Sequence, residues 1–218
     1  MTACAACGFE NPPQSRFCSG CGQPLQDRVA RERRLLTVMF CDLVGSTGLA
    51  EQIDPEELAD LVQAYHKAAG GAIRRYDGHV AQHLGDGLLV YFGYPVAHED
   101  DARRAVHAAL DVVLAMEALN ARLRLPEPLA VRIGVHTGPV VTGEIGSGTT
   151  QERLALGSTP NIAARLQGVA SPGAIVISGQ TFELLNGAFD CEPLGDQSLK
   201  GLSQSVEAYR VVGARDTS

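Results

Sequence analysis

The 218-residue chain has no surplus of basic charge. Eighteen Lys and Arg stand against twenty-five Asp and Glu, for a formal charge of −7. That balance disfavours a protein held on nucleic acid or anionic lipid by a broad basic face. Long apolar runs are also missing: no stretch reaches the ~18–20 residues of a membrane span. The N-terminus MTACAACGFE carries neither a basic n-region nor an apolar h-region, so the expected compartment is the cytoplasm, with no membrane partner. No repeat of solenoid period and no extended low-complexity tract occurs. What remains, 45% hydrophobic and 20% charged residues, is ordinary globular composition and argues against wholesale disorder. The length allows one mid-sized domain with an appendage, or two small domains.

Four of the six cysteines fall in the first 21 residues, as Cys4-Ala-Ala-Cys7 and Cys18-Ser-Gly-Cys21. In a cytosolic chain such doublets are more often metal ligands than disulfides; a redox pair is the competing reading. Each Cys-x-x-Cys-Gly forms a tight knuckle in which Gly8 and Gly22 let the backbone turn its amides toward the thiolates. Two facing knuckles complete a tetrahedral sulfur shell suited to one structural Zn²⁺. The segment is too short to bury a core, so the metal would supply most of its folding energy. The expected domain plan is a zinc ribbon over 1–25, a polar basic linker over 26–34, a larger domain over 35–212 and a tail over 213–218.

Leu35–Cys41 has the length and branching of a buried strand, and Asp42-Leu43-Val44-Gly45-Ser46-Thr47 reads as a strand-to-helix turn. Asp54, Pro55 and Glu57 mark a helix start with a capping box, followed by apolar residues at helical spacing from Leu58 to Ile73. His79–Phe92 reads as a hairpin about Gly85-Asp86-Gly87. A second helix opens at Glu99-Asp100-Asp101 and runs through Val113. Leu129–Ile145 is expected to form two strands about Thr137-Gly138-Pro139, and Ser158–Val169 a third helix. Strands are expected at Ala174–Ile177, Phe189–Leu194 and Val206–Val211. The mixed alternation argues α+β or α/β, a central sheet covered by helices.

Asp42 ends an apolar strand and Asp86 tips a hairpin. Each alone reads as a cap or turn residue. Together, if strand and hairpin are neighbours, their carboxylates converge at one sheet edge, where hard oxygen ligands suit Mg²⁺ or Mn²⁺. A two-metal site of that kind activates a hydroxyl and steadies a leaving phosphate. Gly45, Ser46 and Thr47 open a helix whose free amides could hold a polyphosphate. Asn161 and Arg165 lie one helical turn apart on one face, placing an amide for a sugar and a guanidinium fork for a phosphate; the plainer reading is a solvated face. Leu199-Lys200-Gly201 adds one lysine before the last strand. Gly138–Thr149 is glycine-rich but lacks the Gly-Lys-Ser/Thr of a P-loop, and reads as a hairpin. The six histidines are scattered without ligand spacing and read as structural or exposed; Cys41 and Cys191 read as small buried apolar residues.

FCDLVGST, HLGDGLLVYFG, VRIGVHTGPVVTGEIG, LGSTPNIAARLQ and LKGL stand in this order. From about Arg34 to Val212 the chain thereby resembles a class III nucleotidyl cyclase catalytic domain. With its ribbon, it resembles the N-terminal part of large bacterial regulators carrying an ATPase and tetratricopeptide region. The resemblance implies an α+β, ferredoxin-like or palm-type domain with a mostly antiparallel sheet. It implies two metal ions per site held by Asp42, Asp86 and the Leu43 carbonyl. Asn161 would orient the ribose, Arg165 stabilise the transition state and Lys200 contact phosphates. It also implies a head-to-tail homodimer whose composite sites take the aspartates from one subunit and Asn161, Arg165 and Lys200 from the other.

The resemblance implies base-reading roles for Gln82 and Leu154, which match neither the adenylyl nor the guanylyl pattern of the family. Gln82 offers donor and acceptor together, whereas Leu154 offers only shape. The leading expectation is a cyclase with ATP as first-choice substrate. The alternative is a catalytically silent nucleotide-binding module. A third reading makes the ribbon primary, as an adaptor; net acidity and the want of an aromatic-basic stripe favour a protein partner over nucleic acid.

Overall fold

The computed structural model describes residues 2–4, 6–12, 15, 17–23, 32–50, 53–123, 128–145, 152–202 and 204–215. The expected linker lies outside the described residues up to position 31. At the N-terminus β1 (Thr2–Ala3) and β2 (Glu10–Asn11) pair antiparallel. The two cysteine knuckles close as the spacing requires: Gly8 and Gly22, both at φ near +70°, donate to the Cys4 and Cys18 carbonyls at 2.8 Å.

β3 (Glu32–Leu43) takes up the apolar run and extends it at both ends. A short helix α1 (Ser46–Ala50) follows, then α2 (Pro55–Arg75), whose cap Asp54 accepts from the Glu56 N–H at 2.9 Å. β4 (His79–Leu84) and β5 (Gly87–Phe92) form the expected hairpin, and α3 (Asp101–Leu123) runs ten residues past Val113. β6 (Val131–Ile145), β7 (Glu152–Leu156), α4 (Ser158–Val169), β8 (Ile175–Ser178), α5 (Gly179–Leu184), β9 (Phe189–Gln197) and β10 (Val206–Ala214) complete the chain.

The eight-stranded sheet runs β4-β5-β3-β6-β8-β10-β9, with β7 on the far end of β6; only β6 and β8 pair in parallel. This is the mixed α+β architecture that the strand order implies. α2 and α3 cover one face through Leu61, Tyr65, Ile73, Val106, Val112 and Met116, which meet Met39, Leu88, Val90 and Ile133 of the strands. Fully burying each larger side chain contributes about 1.5–3 kcal/mol before entropy is counted. α4 lies on the opposite face, over Leu36, Val38, Leu89 and Val140.

One expectation is overturned. Residues 131–145 form a single strand rather than two about Thr137-Gly138-Pro139, because β3 pairs without interruption from Glu32↔Thr142 to Leu43↔Val131. The apparent turn residues serve the strand instead. A Cβ on Gly138 would lie 2.6 Å from Thr159 Oγ1, so glycine admits the start of α4. Pro139 falls between the stretches of β6 that pair β8 and β7, where that edge needs no donor. The hairpin is therefore formed by β6 and β7, with residues 146–151 outside the described residues. No described helix is long and apolar enough to cross a membrane.

Candidate active site

β3 carries Asp42 to the end of the sheet, and pairing of Cys41 with Leu88 brings the β4–β5 turn beside it. A Cβ on Gly87 would stand 3.4 Å from Asp42 Oδ1. Asp42 is half-buried, and its carboxyl is pushed up by burial first and by the charge of Asp86 second. The charge of Asp86 reaches Asp42, so in the protein alone the two carboxylates repel. The backbone N–H of Leu43, the charge of Arg132 and the Gln167 amide oppose that shift; Gln167 Nε2 donates to Asp42 Oδ2 at 3.4 Å. A divalent cation fits this donor set, since it relieves the repulsion and takes hard oxygen ligands.

Arg132 went unnoticed in the sequence. It is the cross-strand partner of Asp42, and its Nε is buried without a hydrogen-bond partner among the described residues. A buried guanidinium nitrogen that lacks an acceptor is costly. At the outward position between Val131 and Ile133 an arginine reads as an ordinary solvent-facing strand residue, so the sequence does not single it out. Gln167 is equally unmarked in the sequence: only the tertiary approach of α4 reveals it.

That approach is close. A Cβ on Gly134 would lie 2.2 Å from Gln167 N and 2.3 Å from Ala163 O, so α4 rests directly on the β6 backbone. At about 100° per residue, Asn161 and Arg165 lie on the far side of the helix from Gln167, and both are exposed. Among the described residues no ion pair or hydrogen bond joins Arg165 or Lys200 to either aspartate. Lys200 is exposed in a turn anchored by buried Leu199, with Leu202 N donating to Leu199 O at 3.1 Å. One chain thus gathers Asp42, Asp86, Arg132 and Gln167, and turns Asn161 and Arg165 outward.

Leu43 is buried at the end of β3. Gly45, at φ +77°, turns the chain into α1, which is only five residues long and opens at Ser46; the Thr47 side chain lies outside the described residues. Gln82 is half-buried beside Leu89, just past a register shift in β4. Leu154 pairs with Gly143, its side chain also undescribed. A cavity of about 540 Å³ opens elsewhere, between α4 and β10, lined by His136, Ser158, Ile162, Ser178, Glu183 and Glu207 among others.

In the N-terminal segment the sulfurs of Cys4, Cys7, Cys18 and Cys21 all lie within 4.8 Å of one another. Cys4–Cys21 and Cys7–Cys18 stand at 3.7 and 3.5 Å. A tetrahedron of ~2.3 Å Zn–S bonds has sulfur edges of about 3.8 Å, so the cluster fits that ion. Burial works against the Cys18 thiolate, but donors from Cys21, Gly20 and Asn11 outweigh it and bring Cys18 down to about 6. Buried Asn11, whose Nδ2 lies 3.6 Å from Cys18 Sγ, is a further support the sequence did not disclose.

The family model described as the adenylate and guanylate cyclase catalytic domain matches residues 29–213. Adenylate cyclase 1 of Rhizobium meliloti (strain 1021) is 32% identical over 186 residues, 83% of this chain and 28% of that protein. The chain therefore spans under a third of that relative's length. The solved structure of the adenylyl cyclase CyaB from P. aeruginosa superposes with a TM-score of 0.82 at 32% identity, covering 85% of this chain and 97% of that one. The guanylyl cyclase Cya2 gives 0.80 at 31% identity, covering 86% and 96%. The chain belongs to the family of adenylate and guanylate cyclase catalytic domains.

Proposed function

We propose that this chain converts a nucleoside triphosphate, ATP by first choice, into a 3′,5′-cyclic nucleotide and pyrophosphate, in composite sites of a head-to-tail homodimer. The observation that carries the reading is the convergence of Asp42 and Asp86 at one sheet edge, with Asp42 driven toward its protonated form by burial and by its neighbour. Asp42, Asp86 and the Leu43 carbonyl would hold two Mg²⁺ or Mn²⁺ ions, which when bound activate the ribose hydroxyl and steady the leaving pyrophosphate.

The 3′-oxygen forms a bond to the α-phosphorus as the bond to the β-phosphate oxygen breaks, and the hydroxyl proton leaves to solvent. Arg132, beside Asp42 with a nitrogen to satisfy, faces phosphate oxygens in this reading, and the amides of Gly45, Ser46 and Thr47 cradle the chain of phosphates. The partner subunit supplies an amide from α4 to orient the ribose, a guanidinium for the charge developing at phosphorus and a lysine for the terminal phosphates; in this chain those are Asn161, Arg165 and Lys200. Their outward placement on α4 and its neighbouring turn supports that division. Gln82 and Leu154 meet the base. The four N-terminal cysteines hold one structural Zn²⁺, and the ribbon serves a protein contact rather than nucleic acid. The compartment is the cytoplasm.

Turnover of ATP, GTP, CTP and UTP, each with Mg²⁺ and with Mn²⁺, tests the reading. A clear pyrimidine preference sinks the ATP assignment. Tight triphosphate binding without product favours the silent nucleotide-binding module, to which the unusual Gln82 and Leu154 pair lends its support.

A further inference from the structure

The cavity between α4 and β10 lies apart from the two aspartates. His136 on its wall stands four residues along β6 from Arg132, the partner of Asp42, roughly 13 Å of strand. At about 540 Å³ the cavity has the size of a small-molecule site. No lysine or arginine lines it, whereas Glu183 and Glu207 both do. Neither carboxylate has an ion-pair partner among the described residues. Glu207 is held in place: the Tyr209 hydroxyl donates to its Oε1 at 2.7 Å. Its Oε2 lies over Gly179, where a Cβ would stand 2.8 Å from it.

The buried end of the cavity is built from polar groups whose protons can be traced. Thr181 Oγ1 donates to Thr137 Oγ1 at 3.2 Å, so it has no proton left for Ser178 Oγ, 3.1 Å away. Ser178 therefore donates to Thr181. Its single proton is then spent, and the 2.8 Å contact with His136 Nδ1 takes its proton from the ring. His136 is 4% exposed, and burial keeps the ring neutral by lowering its pKa to about 4. A neutral ring protonated at Nδ1 carries a lone pair at Nε2. That nitrogen has no hydrogen-bond partner among the described residues. The cavity groups that cannot turn into donors, His136 Nε2 and the two carboxylates, all accept. A shielded acceptor left without a donor is costly, so the donors must come from the occupant.

We propose that this cavity binds a small organic cation rich in N–H groups, an alkyl diamine or guanidine. Its charge lies against Glu183 and Glu207, and one N–H is donated to His136 Nε2. The site stands independently of the metal aspartates.

Titration calorimetry on the full chain, without nucleotide, tests this with 1,4-diaminobutane and two analogues. Its hexamethylated form is equally charged but has no N–H, and 1,4-butanediol is uncharged. Diaminobutane should bind saturably, and both analogues about tenfold more weakly or worse. The double variant Glu183→Gln/Glu207→Gln, which keeps side-chain volume and an acceptor for Tyr209, should lose about tenfold or more. Asp42→Asn should bind diaminobutane as wild type does, and the ¹⁵N resonance of His136 Nε2 should move as the site fills. Absence of saturable binding, equal binding of the hexamethylated form or full affinity in the double variant overturns the proposal. So does loss of binding in Asp42→Asn, or a His136 resonance that does not move.

Discussion

Gln167 Nε2 lies 3.4 Å from Asp42 Oδ2, joining the inner face of α4 to the end of β3, while Arg165, two residues earlier on the same helix, is exposed. The helix that meets Asp42 therefore directs its catalytic candidates away from it. Mixing an Asp42→Ala chain with an Arg165→Ala chain should rescue activity that neither has alone. Random pairing yields about half heterodimers with one intact site each, so about a quarter of wild-type turnover is expected. No rescue would count against sites shared between subunits.

Replacing Gly134 by Ala forces a methyl into the α4 backbone, 2.2 Å from Gln167 N. Neither side of that contact is a flexible side chain, so the helix must lift. A loss of roughly 3 kcal/mol in urea unfolding is expected, together with lowered turnover in the fraction that remains folded. A variant as stable as wild type would mean that α4 does not rest on the strand.

His136 is buried, bonded through Nδ1 to Ser178 Oγ at 2.8 Å, and burial lowers its pKa to about 4. The unfolded chain protonates this residue near the ordinary value of ~6.5. Stability is thus fully present above that value and is lost as pH falls from there toward the folded value. The loss is on the order of 3 kcal/mol. Unfolding midpoints of His136→Gln should decline less than those of wild type over this window, and parallel curves would remove His136 from the account.

Zinc analysis of the purified chain should give about one ion per polypeptide, and Cys18→Ser should abolish it. The main thermal transition should survive that substitution, since the sheet has its own core in α2 and α3. Collapse of the whole chain would show that the ribbon is integral to the larger domain.

Most helices and strands were legible because their cues are local. Asp54-Pro55 starts α2, the Gly-Asp-Gly turn closes β4 on β5, and four cysteines at fixed spacing announce their cluster. Asp42 stood out for a related reason, since a carboxylate ending an apolar strand breaks the pattern. Thr137-Gly138-Pro139 misled because its turn chemistry answers to Thr159 of α4, a contact that sequence spacing does not reveal. Arg132, Gln167 and Asn11 matter through partners 90, 125 and 7 residues away in Asp42, Asp42 and Cys18. Ordinary residue types at such distances leave no periodic trace.

The fifteen-residue strand β6 alternates two duties. Val131, Ile133 and Val135 enter the core under α2 and α3, whereas Arg132 meets Asp42 and Gly134 meets α4. This makes the strand a reading frame. Inserting or deleting one residue within it exchanges the faces, driving arginine into the core and valine against the helix. Length variation among related chains should therefore be confined to the segment between β6 and β7, with the span from Arg132 to Val141 constant. Engineered insertions should be accepted in the first place and rejected in the second.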